Sequence, residues 1–256
     1  MTYLQTIILS LIEGLTEFLP ISSTGHLIIA QNLLHISATE FTKSFNIIIQ
    51  FSSILAIIVL YWKKIVRYRY LWKQAFIAFL PTGILGFTLY RLIKGYLLDN
   101  VLVTVLALFI GGLALLLVDH LVKLNSGTKT SKTLNNRELV SIGLFQSLSM
   151  VPGVSRSAAS IVGGLVNGLS RAEAVEFSFL LAIPTMAAAS GYDLLKTGFS
   201  FTGHEYLLIL LGSLITFVSA SLAVKAFTNY VSKHNFTAFA IYRIFLAIFV
   251  WIILKP

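Results

Sequence analysis

No cysteine occurs in the 256 residues, so disulfides, thiolate nucleophiles and cysteine-held metals are excluded. Charge is nearly as scarce: Asp, Glu, Lys and Arg make up 11% of the chain, against roughly 25% in a soluble domain. Acidic residues are rarer than basic ones, ten against nineteen. The amino terminus lacks the basic stretch of a cleavable signal peptide, and Glu13 and Glu17 interrupt its apolar run. What the chain has in abundance is apolar surface, 57% of its residues. Several runs exceed the roughly 18 apolar residues that cross a bilayer. These features exclude a soluble globule and imply an all-α polytopic membrane protein.

Six spans are expected: Phe45–Trp62, Ala75–Leu92 (loosened by Pro81 and two glycines), Val101–Val118, Phe177–Leu195 (with Pro184 inside it), Tyr206–Val224 and Thr237–Leu254 (with Arg243 near its start). Two further apolar stretches are broken. In residues 1–34 a helix over Tyr3–Leu19 stops at Pro20, and Ser22, Ser23 and Thr24 offer caps for a new one. In residues 138–169 the breaks are Pro152-Gly153 and Gly163-Gly164. Half-helices joined by a break at membrane depth predict a re-entrant hairpin, tolerated where it is buried in protein or lines a wet cavity. Residues 123–137, with SGTKTSKTLNN in the middle, read as a flexible solvated loop.

Adding 132 to a position carries Pro20 to Pro152, Ser23 to Ser155, Leu33 to Leu165 and Phe45 to Phe177. Residues 1–122 and 138–256 are therefore expected to be repeats, each a broken hairpin followed by three spans, within one integral membrane domain. Three crossings per half is odd, so the second repeat enters inverted. The connectors agree. One face collects twelve basic residues (Lys63, Lys64, Arg67, Arg69 and Lys73, then Lys123 to Arg137, Arg171, Lys225 and Lys233), and the other only Lys43, Arg91, Lys94, Lys196 and Lys255. The richer face is expected in the cytoplasm, with both termini and the first hairpin open to the outside. The net charge of +9 is thereby explained by topology, and nothing in the chain calls for nucleic acid.

The chemistry concentrates at the two breaks. Ionisable groups inside a membrane are costly and mark function. Glu13 and Glu17 are four apart, on one helix face. They suit a Mg²⁺ or Ca²⁺ site or a general base, or else a helix end in water. Ser23 and His26 are three apart, the spacing of an activated hydroxyl, though Ser22, Ser23 and Thr24 can equally cap a helix. At the second break, Arg156 can grip phosphate oxygens with two donors, beside the N–H groups of a new helix start. A structural arginine there would need Glu13 or Glu17 as its partner. Two carboxylates, a Ser/His pair, an arginine and two helix starts suit phosphoryl hydrolysis within a membrane, on a lipid phosphate. Inverted repeats with broken helices are also a transporter architecture, so a polyprenyl-phosphate flippase is the alternative. Glu173 and Glu176 are expected at an interface with Arg171, and Arg243 is expected to snorkel or to pair within the bundle.

At these residues the sequence resembles the undecaprenyl-diphosphate phosphatase, or bacitracin-resistance, family of bacteria. EGLTEFLPISSTGH at 13–26 is similar to its first signature, PGVSRSAAS at 152–160 to its second, and SRAEAVEFSFLLAIP at 170–184 resembles the family too. The second signature departs in one place, with Ser160 where threonine is usual. The resemblance implies hydrolysis of undecaprenyl diphosphate in the plasma membrane, recycling the lipid carrier of cell-wall glycans. It implies Glu13 and Glu17 as the acidic pair, and Ser23 and His26 as the catalytic pair. Arg156 becomes the phosphate-binding arginine, with Gly153, Ser155, Ser157 and Ser160 beside it. Oligomeric state, including a homodimer, stays open.

Overall fold

The computed structural model describes residues 1–96, 100–124, 129–197 and 201–254, with the side chains of residues 90–96, 122–124, 193, 194, 196, 197 and 254 left aside. The connector side chains of Arg91, Lys94, Lys123, Lys196 and Lys255 lie outside this set. Among the described residues the fold is helical, with ten α-helices and two short 3-10 turns. These are α1 (Tyr3–Thr16), α2 (Ser23–Leu33), α3 (Glu40–Arg67), α4 (Arg69–Tyr96) and α5 (Val101–Leu124), then α6 (Asn136–Ser147), α7 (Arg156–Val166), α8 (Arg171–Thr197), α9 (Gly203–Val231) and α10 (Thr237–Leu254). By length and composition, α3, α5, α8 and α9 suffice to cross a membrane. The expected breaks at Pro20 and Pro152 separate α1 from α2 and α6 from α7.

Two expectations are corrected. The basic connector after the first span is not a loop: α3 runs through Arg67 and α4 starts at Arg69, with Tyr68 alone between them. Lys and Arg propagate helices well, and Lys64 and Arg67 in the last turn of α3 offset its dipole. The 123–137 stretch, from Lys129 onward, is docked rather than free. Lys129 pairs in parallel with Leu169, Gln74 Nε2 donates to the Ser131 carbonyl at 2.8 Å, and the Ser131 N–H donates to Glu173 at 2.9 Å. Each anchor removes a backbone polar group from water without leaving it unpaired.

Local backbone features of the two halves pair at a spacing of 133 rather than 132. Thr2 and Asn135 each cap a helix in a capping box, closed by Gln5 and Glu138. Ser22 and Ser155 each cap the second half-helix with φ of 71°, and their hydroxyls accept from Gly25 N–H and Ala158 N–H at 3.3 and 3.2 Å. The half-helix ends also match, with His35 at φ 50° and Gly168 at φ 90°. The shared prolines are thus one residue out of step with the backbone, because the capping hydroxyl fixes where each half-helix starts.

Packing follows the same exchange: α1 lies on α9 and α6 on α4, while α3 meets α8 and α5 meets α10. Close approach depends on glycine. A Cβ at Gly14 would lie 2.7 Å from the Thr216 carbonyl of α9, and one at Gly143 would lie 2.1 Å from the Ala78 carbonyl of α4.

Candidate active site

The two breaks meet around a cavity of about 220 Å³ whose wall includes Glu17, Ser23, Gly153, Ser155 and Arg156. Each break stores strain. A non-glycine residue at positive φ is uncommon, and Ser22 and Ser155 each cost roughly 1–3 kcal/mol in this conformation, repaid by surrounding contacts. The strained caps place Ser23 and Arg156 as the first residues of α2 and α7.

Glu17 joins them. Its Oε1 accepts from Arg156 Nη2 at 2.9 Å, and its Oε2 accepts from the Ser23 hydroxyl. The arginine is therefore paired with a buried carboxylate, as the structural alternative required, while also lining the cavity. Its Nη1 donates to the Ser178 carbonyl at 3.2 Å, and its guanidinium carbon lies 5.5 Å from the Phe18 ring centroid. Its Nε is buried and has no partner among the described residues.

Glu13, one turn earlier on α1, is fully buried, and both its carboxylate oxygens lack hydrogen-bond partners among the described residues. Its carboxyl adjoins that of Glu17. Two adjacent buried carboxylates, of which Glu13 has both oxygens unpartnered, fit a hard divalent cation. Among the described residues no group of three or more His, Asp and Glu converges, so such a cation would complete its shell from hydroxyls, water or substrate oxygens.

The expected Ser23–His26 pair is not brought together. His26 Nδ1 donates to the Ser22 carbonyl at 2.7 Å, and Nε2 is 2.7 Å from the Tyr242 hydroxyl. The rings of His26 and Tyr242 stack at 5.6 Å and 8°. With both nitrogens engaged, the imidazole has none free for Ser23; on the helix, Ser23 turns toward Glu17 instead.

The second motif divides. Gly153 and Ser155 line the cavity, whereas Ser157 and Ser160 turn into the protein. Ser157 donates to the Phe18 carbonyl at 2.7 Å, tying the two breaks. Ser160 bonds the Arg156 carbonyl at 2.9 Å and the Ser178 hydroxyl at 2.7 Å; threonine in its place would keep that hydroxyl. The remaining wall includes Gln50, Ser149 and Thr185, with apolar Met150, Met186 and Ala189. Sequence reasoning passed over these, and over Tyr242, because nothing in their local pattern distinguishes them from other span residues.

Arg243 neither snorkels nor pairs with a carboxylate among the described residues. It is fully buried and bonds only backbone carbonyls. Glu173 and Glu176 hold the Ser131 N–H and Lys64 respectively, and Arg171 holds Asp119 at 2.8 Å.

The family model for bacitracin resistance protein BacA matches residues 6–249. An undecaprenyl-diphosphatase of Aquifex aeolicus is 46% identical over 248 residues, covering 97% of both chains. One of Bdellovibrio bacteriovorus is 45% identical over 258 residues, covering 99% of this chain and 97% of its own. One of a Sulfurihydrogenibium species is 48% identical over 249 residues, covering 97% and 98%.

Proposed function

The chain belongs to the bacitracin resistance protein BacA family, and we infer from that membership and its relatives that it is an undecaprenyl-diphosphatase. It is a multi-pass membrane protein that hydrolyses undecaprenyl diphosphate to undecaprenyl phosphate and inorganic phosphate.

The observation that carries a mechanism is Glu17 bonded to Ser23 and Arg156 on one cavity wall. Ser23 is the nucleophile in our reading. Its hydroxyl already donates to Glu17, so the carboxylate takes the proton as the oxygen attacks the terminal phosphorus. The bond from that phosphorus to the bridging oxygen breaks, undecaprenyl phosphate leaves, and water releases phosphate from the serine. Arg156, whose Nε has no partner among the described residues, and the N–H groups starting α2 and α7 face the growing negative charge. A Mg²⁺ or Ca²⁺ held by Glu13 and Glu17 would supply further neutralisation of the diphosphate oxygens. Met150, Met186 and Ala189 give the apolar side from which a prenyl chain would extend.

The finer topology is part of the same proposal: six spans, two re-entrant hairpins and an inverted repeat. The register of 133 between the caps supports the repeat. As fifth and sixth spans we assign α4, which exposes Phe76, Leu80, Ile84 and Phe87 along one face, and α10, which exposes Phe245, Phe249 and Ile252. Such contiguous apolar faces need lipid. The site then opens to the outer face of the plasma membrane, with both termini outside.

The test is phosphate release from undecaprenyl diphosphate by the purified chain, with Mg²⁺, Ca²⁺ or chelator. Wild type is compared with Ser23→Ala, Glu17→Gln and Arg156→Ala after each is shown to be folded. Release by wild type alone supports both activity and site; full release by Ser23→Ala overturns the nucleophile.

A further inference from the structure

Both breaks share one partner outside the two motifs. Arg243, on α10, makes five hydrogen bonds, all to main-chain carbonyls. Nη1 donates to Pro20 at 3.1 Å and Val154 at 3.0 Å, Nη2 to Gly153 at 2.9 Å and Ala107 at 3.2 Å, and Nε to Leu108 at 3.4 Å. A guanidinium has five N–H donors in a fixed plane, and here every one is used. Pro20 belongs to the first break, Gly153 and Val154 to the second, and the other two carbonyls to α5. The space is made by Gly111, where a Cβ would lie 2.1 Å from Nη2.

We propose that Arg243 is a positioning residue for the reaction, a staple that sets the two half-helix starts against each other. The proposal rests on the hydrolytic reading above for what is positioned. Peptide planarity carries the effect toward the cavity. In a trans peptide the C=O and N–H point in opposite directions. Anchoring the Val154 carbonyl on Arg243 therefore turns the Ser155 N–H away from it, and anchoring Gly153 fixes a residue of the cavity wall. Gly153 itself has φ of 94°, and a Cβ there would lie 2.3 Å from the Thr104 carbonyl, so its carbonyl reaches Arg243 only as glycine. The positions of Ser23 and Arg156, and hence their shared grip on Glu17, depend on this side chain together with the Ser157–Phe18 tie.

A second consequence is electrostatic. Arginine stays protonated in proteins, and among the described residues no carboxylate pairs with Arg243. A positive charge thus stands directly behind the wall that would face a diphosphate, where low dielectric strengthens its reach. Lysine offers only three donors on a flexible stem and, buried without a carboxylate, gives up its proton more readily than arginine. Arg243→Lys therefore breaks the staple, and Gly111→Ala breaks it with the arginine kept.

The experiment uses the full purified chain in detergent or nanodiscs with undecaprenyl diphosphate. For Arg243→Lys the expected result is kcat lower by about a hundredfold with KM within about threefold, the signature of misplacement in the transition state. Hydrogen exchange supplies the readout that a general loss of stability would not give. The amides of Gly25, His26, Ala158 and Ala159, bonded to the two caps, exchange faster in both breaks at once, while those of α9 are unchanged. Gly111→Ala, which keeps the arginine but denies its plane, gives the same split and decides the matter if the lysine variant does not fold. A kcat within about threefold of wild type, faster exchange at one break alone, or faster exchange throughout the chain overturns the staple. Absence of phosphate release by wild type would overturn the hydrolytic reading and leave the exchange result to judge the staple.

Discussion

Ser23 and Arg156 occupy the same place in two half-helices: each is the first helical residue after a capping serine at φ 71°. Each also bonds Glu17. One carboxylate thus reads the alignment of both breaks. Glu17→Gln keeps the shape but loses the proton acceptor and leaves Arg156 without its counter-charge. Phosphate release is expected to fall by roughly 10²–10⁴-fold, the range for a general base. Glu17→Asp, one methylene shorter, should recover part of it only if the bond to Ser23 is what matters. Steady-state kinetics on folded variants checks this.

Ser22 is placed as a cap rather than as a reactant. Its hydroxyl accepts from Gly25 N–H, and its positive φ suits glycine. Ser22→Gly should cost only a few tenths of a kcal/mol of capping and relieve strain, so the fold survives and release stays above that of Ser23→Ala. The same holds for Ser155→Gly in stability. Thermal unfolding of both, beside phosphate release by Ser22→Gly, tests the assignment. A Ser22→Gly variant as inactive as Ser23→Ala would mean that the two serines have been assigned the wrong way round.

These residues show what was legible in the sequence and what was not. The breaks were legible because proline and clustered hydroxyls in an apolar run have few other uses, and the carboxylates because membrane burial makes them costly. The register was not, since prolines draw the eye while the backbone is set by Ser22 and Ser155. Nor was the partner of Ser23. Spacing placed His26 within reach, but a residue at the first helical position sees the preceding chain, here Glu17, and His26 is claimed by Tyr242 more than 200 positions away. Arg243 was unreadable for a related reason: its partners are carbonyls, which every residue has.

His26 is accordingly expected to act on the placement of α2. His26→Gln, which leaves Ser23 and Glu17 intact, should lower kcat far less than Ser23→Ala does. Tyr242→Phe, which removes the hydroxyl facing Nε2, should reproduce much of that loss. The double variant should then be no worse than the more damaging single one, since residues in contact are non-additive. Additive losses would separate His26 from Tyr242 and return the imidazole to the chemistry.

Glu13 provides the test of the cation. Its two oxygens are buried and unpartnered among the described residues, so Glu13→Gln replaces one oxygen ligand with an amide nitrogen that a hard cation does not take. Chelator should abolish release by wild type, with Mg²⁺ or Ca²⁺ restoring it. Glu13→Gln should require a higher cation concentration for half-maximal release. Direct binding of the cation to substrate-free protein by calorimetry, weaker in Glu13→Gln, gives a readout independent of turnover. Equal binding by both proteins would remove Glu13 from the site.

Asp119, which is not among the cavity-wall residues, should matter to stability alone. It is buried and holds Arg171 Nε at 2.9 Å, Phe236 N–H at 3.1 Å and the Thr237 hydroxyl at 3.2 Å. It therefore fastens the start of α10 to α5 and α8. Asp119→Ala removes a charge-assisted bond and leaves a buried N–H unpaired, a loss of about 3 kcal/mol. Because α10 carries Arg243, a wholesale shift of that helix would also disturb the breaks. The expected result is instead a lower unfolding midpoint with kcat unchanged below it, since the five carbonyl bonds of Arg243 hold the middle of α10 independently of its first turn. Loss of kcat in protein that is still folded would show that the staple depends on this anchor.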